Sequence, residues 1–222
     1  DVADLVLLDD NFETIVAAVE EGRQIMNNIR KVLVYLLSSV ADELLLIGGA
    51  LVAGLPLPMN ALQILWVNFF SDSFPAVAFA FERNIDGLAR RPRRSRNVLF
   101  DPLMKFLVLF VGFVTSALLF VLYWVLLQAG FGEDLVRTFI FASFGSYTLF
   151  VAFSLRSLEK GIFQYSLFSN RYLLAGVGIG IFLMGIAIYV PLLQSFLGTV
   201  SLPLSWVLGV ILIGVINVVA VE

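Results

Sequence analysis

The chain has 222 residues, 60% of them hydrophobic and 14% charged, with a mean hydropathy of +0.96. A soluble domain is only about half apolar, so this composition excludes an ordinary soluble enzyme or binding module and leaves a protein embedded in lipid. Cysteine and histidine are absent, which excludes disulfide frameworks, ordinary zinc sites and Cys-His or Ser-His catalysis and leaves oxygen to hold any metal, while the net charge of −3 says little because charge in a membrane protein acts by position.

Asp1 to Asn11 has no initiator Met, no basic n-region and no signal peptide, and reads as the continuation of a longer chain. The run ADLVLLDD predicts a short buried strand with a Leu5-Val6-Leu7-Leu8 core, of the kind found in parallel sheets. Asp10 and Glu13 resemble a capping box opening an amphipathic helix, with Phe12, Ile15, Val16, Val19, Met26 and Ile29 as its apolar positions. No Pro interrupts that helix before the first hydrophobic stretch.

A span needs about 20 apolar residues, and such stretches fall near 32–54, 60–81, 104–128, 136–156, 172–194 and 203–221, predicting six transmembrane helices. Pro56 and Pro58 lie in an uncharged turn between the first two, predicting a tight hairpin over 32–81. Residues 82–103 form a basic loop with Arg83, Arg90, Arg91, Arg93, Arg94 and Arg96. Residues 104–222 read as a four-helix bundle. The positive-inside rule places the basic loop in the cytoplasm with Arg23, Arg30, Lys31, Arg156, Lys160 and Arg171, the N-terminus and Glu222. Trp124, Tyr189 and Trp206 then fall at the outer interface. Gly176 and Gly180, joined by Gly178 and Gly185, predict close packing of the fifth span.

The first span places Ser38, Ser39, Asp42 and Glu43 among apolar neighbours. Ser39 and Glu43 share a helix face, whereas Asp42 points about 100° away. In the second span Asn68 and Asp72 share a face with Ser71 beside them, and Pro75 one turn on frees a carbonyl oxygen. A carboxylate at bilayer depth costs about 2.5–3.5 kcal/mol on insertion scales, and neither span offers a Lys or Arg near these acids. The partner is therefore a cation, and the oxygens suit a hard ion: calcium, magnesium, manganese, sodium or potassium. Two other readings stay open, protonated acids that bind helices together and proton carriage. Thr115, Ser116, Ser143, Ser146, Thr148 and Asn217 read as packing or back-bonded groups.

The segment DVADLVLLDDNFETIVAAVEEGRQIMNNIRK, and after it LPLPMNALQILWVNFFSDSFPAVAFAFE with the Arg-Pro stretch, resembles the P-type cation-transporting ATPases, in the ten-helix branch of calcium and sodium/potassium pumps. The resemblance implies an all-α membrane protein whose six helices correspond to helices five to ten of that family, preceded by a short strand and a cytosolic stalk helix. It makes residues 1–11 the end of a truncated phosphorylation domain, 12–31 the stalk, 32–81 the ion-binding hairpin, 82–103 the cytosolic loop and 104–222 the C-terminal bundle. It implies Glu43, Asn68, Asp72 and Ser71 as cation ligands, with Ser39 and Asp42 as further candidates. Val40 stands where an asparagine ligand is expected, and Thr148 is the best match to an eighth-helix Glu or Gln. These departures favour one cation site, or an altered one, over a full two-site calcium arrangement.

The implied function is the membrane half of an ATP-driven pump for calcium or a similar hard cation, with the bilayer, the cation and the N-terminal half of the pump as partners and no nucleic acid. ATP and magnesium belong to the domains that would carry the DKTG motif, so this chain alone is not expected to hydrolyse ATP. A freestanding six-helix channel, or a structural or regulatory subunit without energy coupling, is the alternative.

Overall fold

The computed structural model describes residues 12–82, 102–158 and 161–221. The predicted strand at Leu5 to Leu8, the Asp10 cap, most of the basic loop, Lys160 and Glu222 lie outside them. Every regular element among the described residues is helical. Helix α1 runs Phe12–Val52, joining the expected stalk and first span in one rod of 41 residues, about 60 Å at 1.5 Å per residue. There follow α2 Ala61–Trp66, a π-helical segment Val67–Asp72 and α3 Ser73–Phe79, then α4 Pro102–Gln128, α5 Glu133–Ser154, α6 Arg171–Tyr189, α7 Pro191–Leu197 and α8 Leu204–Val221.

Five of these, α1, α4, α5, α6 and α8, are long and apolar enough to cross a membrane, which makes this a multi-pass membrane protein. The expected span at 60–81 takes a different form. Three contiguous helical segments replace one helix, and the backbone stays in the right-handed helical region through Trp66, Val67, Asp72 and Ser73. The cause is visible in the sequence. Pro75 has no N–H to give the Ser71 carbonyl four residues back, and the ladder rearranges into the wider π turn. The expected fifth span also stops early, because Pro191 ends α6 and starts the short α7. Gly198 then closes α7 with φ +65°, a conformation that glycine adopts freely.

Helix α5 is the centre of the bundle, with 78% of its most apolar stretch buried against 22% for α8. Close approaches hold its neighbours. A Cβ at Gly112 of α4 would lie 2.9 Å from Ala41 Cβ, 3.2 Å from Ser38 O and 3.3 Å from Asp42 N, so α4 meets α1 backbone to backbone. A Cβ at Gly176 would lie 3.2 Å from the Phe74 carbonyl, and one at Gly180 2.6 Å from Leu149 Cδ2. The expected small-residue contact of α6 is therefore made by Gly176 and Gly180. Gly178 and Gly185 take no part, having nothing within 4 Å of a built Cβ.

The Pro56–Pro58 turn is held by the bundle: Tyr123 donates to Pro56 O at 2.8 Å and Arg137 Nε to Leu57 O at 3.3 Å. Asn60 caps α2 in a reciprocal box with Gln63, and both side chains also donate to Leu197 O. Tyr189 donates to Leu202 O, and Trp206 packs edge-on against Phe131 and Phe139.

The first half of α1 inverts a simple amphipathic reading. Phe12, Val16, Val19 and Ile29 are exposed, while Asn27, Asn28, Arg30 and Lys31 are buried. Polar groups of this stretch are engaged with the end of α3, so its polar side faces the bundle.

Candidate functional site

The two elements that carry the predicted acids lie side by side. Ser39 Oγ donates to Asp72 Oδ2 at 2.6 Å, and Asn68 Nδ2 donates to Glu43 Oε1 at 3.0 Å. One turn of α1 separates Ser39 from Glu43, and four residues separate Asn68 from Asp72, so two cross-links form at matched heights. Asp72 is 2% exposed and Glu43 8%. The charges of Glu43 and Asp72 also act on one another, and no cationic side chain intervenes in these hydrogen-bonded pairs.

The π segment shapes this arrangement. Its wider turn leaves the Asn68 carbonyl to accept Ser73 Oγ at 3.0 Å, and the Ser71 carbonyl, released by Pro75, to accept the Tyr35 hydroxyl at 3.3 Å. Tyr35 also reaches Asp72 Oδ1 at 3.5 Å. Ser71 Oγ is buried without a hydrogen-bond partner and faces Gly145 of α5, where a Cβ would lie 3.1 Å from it. Two carboxylates, an amide and two hydroxyls, one of them without a partner, are oxygen donors of the kind a hard cation takes.

Two residues joined this group without a strong sequence signal. Tyr35 sits in an apolar run and reads as core. Thr148 of α5 donates to Gly145 O at 3.0 Å, as a packing residue would, yet it also interacts with the Asp72 carboxyl and the Tyr35 hydroxyl. Thr115, Ser116 and Asn217 are back-bonded to their own helices as expected.

Asp42 stands apart. It is fully buried, neither of its oxygens has a hydrogen-bond partner, and its backbone N lies against Gly112 of α4. Thr115 of α4 acts on its carboxyl, and so do the charges of Glu43 and Asp72. Among the described residues no three acidic side chains gather to hold a metal ion together. Asn68 and Ser39 donate to Glu43 and Asp72, and Asp42 takes part in neither cross-link.

A second polar centre lies at the end of α3. Glu82 receives both Nε and Nη2 of Arg156, at 2.8 and 2.9 Å, and Asn170 Nδ2 at 3.0 Å. Burial pushes the Glu82 carboxyl up, but the hydrogen bonds from Arg156 and Asn170 and the charges of Arg156 and Lys31 outweigh it and hold the carboxyl below its usual range.

Residues 56–222 match the family described as "Cation transporting ATPase, C-terminus". A "Calcium-transporting ATPase" of Bacillus subtilis is 36% identical over 212 residues, covering 94% of this chain and 24% of the relative. "Calcium-transporting ATPase 1" of Yarrowia lipolytica is 34% identical over 96% of the chain and 23% of the relative. The human "Calcium-transporting ATPase type 2C member 1" is 34% identical over 91% and 22%. The chain thus spans about a quarter of the length of the curated relatives it matches. An oxygen-lined pair of helices in an apolar bundle and a family match over most of the chain lead to one assignment: the chain belongs to the C-terminal membrane region of the P-type cation-transporting ATPases.

Proposed function

We propose that this chain is the membrane-embedded half of an ATP-driven cation pump with calcium as cargo, and that Ser39, Glu43, Asn68, Ser71 and Asp72 supply its share of the cargo site. The observation that carries the reading is the pair of cross-links Ser39–Asp72 and Asn68–Glu43, which gather carboxylate, amide and hydroxyl oxygens inside an apolar bundle. The names of the relatives support calcium. When the cation enters, Ser39 and Asn68 give up their carboxylate acceptors, and Glu43 and Asp72 turn their oxygens to the ion. Ser71 Oγ, already without a partner, adds a neutral ligand, and Asp42 is left outside the set.

In the same reading the three segments from Ala61 to Phe79 act as a sixth, interrupted span. Residues 1–11 close a phosphorylation domain, 12–31 form a stalk, 32–81 the binding hairpin, 82–103 a cytosolic loop and 104–222 the supporting bundle. The N-terminus, the loop and the C-terminus are cytoplasmic by the Arg and Lys distribution. ATP and magnesium act in the remainder of the pump.

The test is Asp72→Asn in the intact pump, read by calcium-dependent ATP turnover and calcium uptake into sealed vesicles. Both are lost while membrane abundance stays at the wild-type level. Wild-type turnover in this variant would remove Asp72 from the cargo site.

A further inference from the structure

The buried group around Glu82 joins three parts of the chain. Arg156, besides its two bonds to the Glu82 carboxylate, donates to Ser166 O at 2.8 Å and Ser169 Oγ at 2.6 Å, and its guanidinium lies 5.3 Å from the centre of the Tyr165 ring. Asn170 bridges Glu82 to Ala78 O at 3.2 Å while its own oxygen caps α6 at Leu173 N. On the other side, the main-chain carbonyl of Glu82 accepts Gln24 Nε2 at 2.8 Å and Asn28 Nδ2 at 3.1 Å, both from α1. Gln24 braces Asn28 at 3.0 Å, and Asn28 also reaches Ala80 O at 3.3 Å. The end of α3 is held by α1 through its backbone and by the α5–α6 connection through its side chain.

We propose that Gln24, Asn28 and Glu82 are positioning residues for the cation site, fixing the axial register between α1 and α3. Glu82 lies ten residues beyond Asp72, and Asn28 eleven before Ser39, so the clamp acts at about 15 Å from the cross-links. The two elements are pinned at both places. A slip of one residue, about 1.5 Å, would take Ser39 Oγ out of reach of Asp72 and Asn68 out of reach of Glu43. The form of the clamp fits that task. A buried ion pair contributes little net stability, because desolvation offsets its attraction, whereas a bidentate pair braced by further hydrogen bonds dictates geometry. The inference rests on the cargo-site reading of Ser39, Glu43, Asn68 and Asp72.

The experiment compares the full-length wild-type pump with Gln24→Ala/Asn28→Ala and with Glu82→Gln, by half-saturating calcium, maximal ATP turnover and melting temperature. Losing the three amide bonds to the Ala80 and Glu82 carbonyls raises half-saturating calcium about tenfold, with maximal turnover and melting temperature near wild type. An unchanged half-saturating calcium overturns the proposal, whatever happens to the melting temperature, since a merely structural contact lowers stability without changing the affinity of the folded protein. Should Glu82→Gln leave Arg156 unpaired and fail to accumulate, the Gln24→Ala/Asn28→Ala pump, whose ion pair is intact, decides alone. A wild-type pump with no response to calcium defeats the cargo reading itself, and is told apart by the wild-type arm.

Discussion

Replacing Gly112 with alanine probes the contact directly behind the candidate site. The added methyl would sit 2.9 Å from Ala41 Cβ, about 0.6–1.1 Å inside the optimum for two carbons. Its other neighbours, Ser38 O at 3.2 Å and Asp42 N at 3.3 Å, are backbone atoms that no rotamer change can move aside. Helix α1 must therefore shift at Ser38 to Asp42, at an overpacking cost of about 1–3 kcal/mol. Gly178→Ala is the matched control: it lies in a helix, gains the same propensity of about 1 kcal/mol, and meets nothing within 4 Å. In the full-length pump the difference between the two variants isolates the clash. Gly112→Ala melts several degrees below Gly178→Ala and needs at least about tenfold more calcium for half-maximal turnover, because a displacement near 1 Å at a binding site is costly. If the two variants melt together and bind calcium alike, the close approach of α4 to the back of the site is wrong.

Other outcomes follow from the same geometry. Asp42→Asn leaves half-saturating calcium within about threefold of wild type, less than about 0.7 kcal/mol, since neither of its oxygens takes part in the cross-links; a loss as large as that of Asp72→Asn would return Asp42 to the site. Tyr35→Phe removes two long hydrogen bonds, at 3.3 and 3.5 Å, and lowers stability by less than about 1 kcal/mol, which thermal melting of the purified variant measures. Glu82, whose carboxyl is held below its ordinary value of 4.5, contributes stability that is fully present above that value and is lost as pH falls through its lowered folded value. A melting-temperature profile against pH therefore falls on the acid side in the wild type and flattens there in Glu82→Gln.

What the sequence made legible was what its chemistry makes rare. Acids in apolar runs are costly, so Glu43 and Asp72 stood out, and their i, i+4 partners Ser39 and Asn68 followed from helical spacing alone. Asp42 was legible as a third buried acid by the same rule. Tyr35 and Thr148 were not, because an aromatic or a hydroxyl in a span is ordinary until its neighbour is known. The helix break before Pro75 had a visible cause, but its π form depends on how Ser73, Asn68, Tyr35 and Ser71 share the released carbonyls. The Glu82 clamp was the least legible. Its partners are 74 residues apart in one direction and 58 in another, and amides on a stalk helix carry no periodic mark of what they will meet.

The unbroken length of α1 has a mechanical consequence. Ala41, which lies against Gly112 of α4, divides the helix into a long arm of 29 residues back to Phe12, about 43 Å, and a short one, with Ser39 and Glu43 about 3 Å to either side of it. Treated as a rigid lever with its fulcrum at that contact, α1 tilting by about 5° would carry its outer end nearly 4 Å while moving the backbone beside the oxygens by about 0.3 Å. Such a reduction, more than tenfold, would turn a shift of several ångströms at the outer end of the helix into sub-ångström adjustments beside the buried oxygens.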